Sequence, residues 1–130
     1  MVDTVSTQVL QDNVNAYRVK LNNVSDATGE TDVLKVDFST IADADRLELE
    51  SVEYATAGMA VTLLWDATAN DVLWSIPADH CGYHCFKNGP LTGNHLAGFT
   101  NDVLLTTVGA VAGASYSIIL HFKKRIQRSL

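Results

Sequence analysis

The residues of this chain best suited to chemistry sit in one short segment. His80, Cys81, His84 and Cys85 form the run HCGYHC, and His95 follows ten residues after Cys85. Both cysteines and three of the four histidines thus fall within sixteen residues. Zinc is bound by thiolate sulfur and imidazole nitrogen, so a tetrahedral site drawn from these five is one reading. The spacing works against it. The adjacent pairs His80–Cys81 and His84–Cys85 reach one metal only if the segment coils into a helical turn, and no C-x2-C signature is present. Free thiols packed under a loop compete with that reading, as does a small disulfide loop closed by Cys81 and Cys85. A reducing cytosol disfavours the disulfide during synthesis but not later, outside the cell. A cysteine–histidine hydrolase needs its histidine oriented by a third polar group. Neighbours on one loop seldom supply that geometry, so no enzyme is expected.

Other polar and aromatic groups carry weaker signals. Trp65, Trp74, Tyr54 and Tyr83 could form a stacking platform for sugars or bases, although strand tryptophans opposite small residues are more often core. Asp66, Asn70 and Asp71, or Asp43 and Asp45, lack EF-hand spacing, and turn chemistry accounts for them. There is no P-loop, no GxGxxG and no GxSxG. His121 alternates with apolar residues and reads as a strand histidine.

The elements that would position these groups are strands. Residues 58–77, GMAVTLLWDATANDVLWSIP, are the centre of the pattern. Met59, Val61, Leu63 and Trp65 share one face of a first arm, and Val72, Trp74 and Ile76 one face of a second. Asp and Asn in the link between them form local turns. Residues 4–10 alternate weakly and suit an edge strand or an arm reaching a neighbour. Tyr17, Val19 and Leu21 form one strand, and Leu34, Val36 and Phe38 another. Between them lies a turn in which Gly29 can supply a positive φ. Residues 39–45 suit a helical turn capped by Ser39. The apolar phase changes from Leu47 and Leu49 to Val52 and Tyr54, which predicts a bulge near Glu50 and Ser51. Residues 78–98 lack periodicity and are expected to form a long loop. Residues 102–108 and 115–122 resume strands. The whole predicts an all-β, single-domain sandwich or jelly-roll-like barrel of about seven or eight antiparallel strands. An N-terminal arm (1–10) and a basic C-terminal tail (123–130) would flank it.

Composition sets limits. With 130 residues, 47% hydrophobic and 18% charged, the chain suits one globular domain. No stretch is apolar and long enough for a membrane span, and the first ten residues lack signal-peptide features. The net charge of −6 argues against nucleic acid as a partner. Nine of the 15 acidic residues lie between positions 26 and 53, and four of the nine basic residues lie in the last eight positions. A solvated acidic face and a frayed basic tail are the plain expectation. Head-to-tail pairing of copies is the sharper one.

Three stretches resemble a family of small virion proteins of tailed bacteriophages, including short-tailed cyanophage-like viruses. They are LNNVSDATGETDVLKVDFST (21–40), the central 58–77 stretch, and NDVLLTTVGAVAGASYSIILHFKK (101–124). The family pattern combines an N-V-S-D-x-T-G-E turn, a G-M-x-V-x-L-L-W-D-A-T strand and a closing T-T-V-G segment. Here these fall at 23–30, 58–68 and 106–109. The likeness keeps the same order over roughly half the chain, and the HCGYHC segment lies outside it. The resemblance implies a capsid decoration (cement) protein, synthesised in the host cytoplasm and placed on the virion surface. Its implied partners are the major capsid protein and its own copies in a homotrimer. A tail or head–tail adaptor protein is the alternative within the virion. A β-sandwich carbohydrate-binding module for host attachment is the alternative from another class.

Overall fold

The computed structural model describes residues 4–13, 15–26, 29–41, 46–86, 91 and 100–125. Among them are nine strands: β1 (Thr4–Asp12), β2 (Ala16–Asp26), β3 (Val33–Val36), β4 (Arg46–Ala57), β5 (Ala60–Trp65), β6 (Asp71–Ile76), β7 (Cys81–Cys85), β8 (Val103–Val108) and β9 (Ala112–Arg125). They form two antiparallel sheets, β1-β2-β9-β4-β7 and β3-β8-β5-β6. From β2 onward this is the jelly-roll order, two interlocked Greek keys, with β1 added beside β2.

Alternation explains which face each strand buries. Val19 and Leu21 of β2, Ile118, Leu120 and Phe122 of β9, and Val61, Leu63 and Trp65 of β5 are all at most 1% exposed. Their intervening neighbours face outward. The sheets meet over this apolar set, where Trp65 packs on Phe122 with ring centroids 6.2 Å apart. The expected bulge is present: Leu49 pairs with Phe122 and Ser51 with His121, leaving Glu50 extra. It lets β4 bury Leu49 before it and Val52 after it.

Several sequence expectations change. Nine strands replace seven or eight, because β7 lies inside the stretch expected to be loop. As an outermost strand with all five residues exposed, β7 carries no apolar face for periodicity to detect. In β6 the expected common face is broken by a second bulge. Trp74 and Ile76 pair with inward Leu63 and Val61, whereas Val72 pairs with Leu64 and points outward. Of the helical turn expected over 39–45, residues 42–45 lie outside the described residues; a 3-10 turn spans Phe38–Thr40, and Asp37 rather than Ser39 caps it, accepting from the Ser39 amide at 3.0 Å. Of the two forms expected for residues 4–10, the edge strand is the one found, paired with β2; residues 1–3 lie outside the described residues.

The acidic stretch and the basic tail are not wholly solvated. Glu30 lies buried where β2, β3 and β9 meet. It accepts from Asn23 Nδ2 at 2.6 Å and the Tyr116 hydroxyl at 2.6 Å, and pairs with Lys35 Nζ at 2.5 Å. Glu48 is buried as well. Lys124, in the expected tail, is a buried residue of β9 paired with Asp12 at 2.5 Å. Gly29, beside Glu30, has φ +81° as its turn requires.

Candidate functional site

The outer face of the five-stranded sheet carries the groups that remain free for a partner. Register places them in rows. Arg18, His121, Ser51 and Cys85 form one row across β2, β9, β4 and β7; Lys20, Ile119, Glu53 and Tyr83 form the next; Asn22, Ser117, Ala55 and Cys81 the third. Small residues floor a trough at one end, among them Ala55, Ala57, Ser115 and Ser117. The other end is polar, lined by Arg18, Ser51, Glu53, Tyr83, Ile119 and His121. The Arg18 Nε is buried there without a hydrogen-bond partner. Tyr83 is 59% exposed.

The strand conformation of β7 decides the HCGYHC segment. Side chains alternate along a strand, so Cys81, Tyr83 and Cys85 point outward while His84 takes the inner side. There His84 stacks on Phe86, with centroids 4.5 Å apart, and on Trp74 at 5.1 Å. His80 precedes the strand, and its Nδ1 is 2.8 Å from the Ala78 carbonyl oxygen. Its backbone carbonyl accepts from the Thr56 amide at 2.8 Å. His95 lies outside the described residues. Among the described residues no three His, Cys, Asp or Glu side chains gather as a metal site. The zinc reading required a coiled segment; pairing with β4 extends it and sends its ligands to opposite faces. The disulfide reading fails for the same reason. Both thiols are free and exposed. Four residues of extended chain separate their Cα atoms by about 13 Å, beyond the ~7 Å limit of a disulfide.

The aromatic candidates divide. Trp65 is core, Tyr54 and Trp74 are partly buried against it, and only Tyr83 stands on the outer face. The Tyr54 side chain lies where a side chain at Gly82 would be, its hydroxyl 3.1 Å and its Cζ 3.3 Å from that position. Asn70 accepts from the Ala67 amide, the turn chemistry its spacing suggested, whereas Asp66 accepts from the Thr100 hydroxyl, thirty-four residues away. Asp43 and Asp45 lie outside the described residues. Arg18, Glu53 and His121 were not singled out from the sequence as a group. The only available signal was that each sits on the polar phase of its own strand.

No known protein family and no curated protein matches this chain.

Proposed function

We propose that this chain is a non-catalytic virion structural protein, a decoration or cement protein that binds and stabilises the outer capsid shell. Its partners would be the major capsid protein and further copies of itself, arranged as a homotrimer. The observation supporting this reading most directly is strand β1. Val5 and Val9 lie on the same face as buried Asn23 and Val19 of β2, yet they are 42% and 52% exposed. Leu10 of the same strand is 41% exposed as well, so β1 leaves several apolar side chains uncovered. Among the described residues no strand pairs with the other edge of β1. A long edge with apolar side chains is a template for another chain, and folded proteins ordinarily blunt or cover it. A protein that binds only the assembled shell shifts the equilibrium toward it without any chemistry. The likeness in residues 21–40, 58–77 and 101–124 points to the same role.

The test is the copy number of this chain in purified particles relative to the major shell protein. A ratio near one is expected. A few copies per particle would favour a tail or head–tail adaptor, and absence from particles would overturn both.

A second reading rests on the outer-face trough. Exposed Tyr83 beside Arg18, Glu53 and His121 offers a ring for stacking and charged groups for hydroxyls, as a carbohydrate-binding module would. Saturation of a glycan-array signal that Tyr83→Ala abolishes would favour it over the capsid role.

A further inference from the structure

We infer that β7 is a self-association edge, on which two copies join about a two-fold axis at Tyr83 and can be locked by two intermolecular Cys81–Cys85 disulfides. The inference is independent of the capsid role; under that role the contact would join copies belonging to different trimers.

The backbone supplies the first argument. The Phe86 amide donates to the Glu50 carbonyl at 2.7 Å, and the His80 carbonyl accepts from Thr56 at 2.8 Å. Even-numbered residues from 80 to 86 therefore turn their main-chain groups toward β4. In an antiparallel ladder the alternate residues turn theirs the other way. The amides and carbonyls of Cys81, Tyr83 and Cys85 thus face the open edge, where no strand pairs among the described residues.

The second argument is the symmetry of the sequence CGYHC about Tyr83. Antiparallel pairing of two copies centred there sets Tyr83 against Tyr83, and each Cys81 against Cys85 of the other copy. All three facing pairs exchange backbone hydrogen bonds, about six in total. Paired residues of this kind have Cα atoms about 5.5 Å apart, inside the disulfide range. Both thiols lie on the outer face and are exposed. On the inner face each His84 faces Gly82 of the other copy, beside which the Tyr54 hydroxyl already lies.

The chemistry balances through thiol–disulfide exchange with a small-molecule disulfide such as oxidised glutathione. One protein thiolate attacks the small disulfide, forming a mixed disulfide and releasing one small thiol. The facing thiolate of the second copy displaces the other small thiol and closes the cross-link. Two cross-links consume two small disulfides and release four thiols. The reducing cytosol holds the edge open, and an oxidising medium locks it.

The test uses the full chain and two exposed, conservative variants, Cys81→Ser and Cys85→Ser, treated with oxidised glutathione and run on non-reducing gels. Wild type is expected to give a covalent dimer whose linked peptide joins Cys81 to Cys85. Either variant alone places each remaining cysteine opposite serine and should stay monomeric. An equimolar mixture restores one facing pair and should give at least about tenfold more dimer than either variant alone. Cross-linking of a single variant as efficient as its mixture would overturn the register. Wild type that yields only glutathione adducts, or a disulfide within one chain, would overturn the interface.

Discussion

Replacing Lys35 by Met should destabilise this protein far more than removing an exposed charge. Lys35 and Glu30 side chains are 3% and 6% exposed, and Lys35 Nζ lies 2.5 Å from the carboxylate. Removing the cation leaves a buried anion, and breaking such a pair costs about 3–5 kcal/mol. The carboxylate keeps its bonds from Asn23 and Tyr116, so the lower end, about 3 kcal/mol, is expected. For a chain of this size each kcal/mol moves the melting midpoint by about 4 °C, giving a loss of about 12 °C. Urea denaturation and calorimetry would both read it. Arg46→Met is the control. The Arg46 side chain is 46% exposed, so water reaches it and partly takes over its role beside the buried Glu48, and its loss should cost less than that of Lys35. The double variant Glu30→Gln/Lys35→Met keeps an acceptor for Asn23 and Tyr116 while removing the unpaired charge. It should recover about 2 kcal/mol relative to Lys35→Met. A cost for Lys35→Met below about 1 kcal/mol, or a double variant no better than the single, would refute the assignment of a buried, charge-coupled centre.

Three further outcomes follow from the same structure. Gly29→Ala should cost about 2–3 kcal/mol, because its φ is +81° and an added Cβ would lie 2.8 Å from Thr107 Oγ1, which accepts the Glu30 amide. Gly109→Ala, with φ +75° but nothing within 4 Å, should cost only about 1 kcal/mol; equal losses in urea titration would show that the contact is irrelevant. Burial, and then the Asp12 carboxylate, hold the Tyr17 phenol above its ordinary value of 10.0. A folded value above the unfolded one contributes stability that is present below about pH 10 and lost as pH rises through the folded value. Wild-type denaturation midpoints should therefore fall more steeply above about pH 10 than those of Tyr17→Phe; parallel curves would contradict this. Under the proposed capsid role, deleting residues 1–10 should abolish binding to shells while preserving the β circular-dichroism signal, since the Asp12–Lys124 pair and the core of β2 remain. Undiminished binding would remove β1 as the contact.

The sequence by itself determined the all-β class, because a period of two with large apolar residues is a local property of each strand. It located Gly29 in its turn and the bulge at Glu50, since both leave a local mark: a glycine among turn formers, and a change of apolar phase. It placed Met59, Val61, Leu63 and Trp65 in the core for the same reason, and all four are buried. Tertiary structure alone decided the rest. Strand β7 owes its existence to β4, and no pattern in CGYHC announces a strand exposed along its whole length. That pairing also separated the cysteines and turned His84 toward Trp74, whereas proximity in sequence had suggested convergence. Glu30 and Lys35 looked like members of a solvated charged stretch. They are buried because β9 closes beside β2 and brings Tyr116 to them, eighty-six residues from Glu30. The trough of Arg18, Glu53, Tyr83 and His121 has the same origin. Register across four strands assembles it, and register depends on hydrogen bonds between distant segments that no local window of sequence contains.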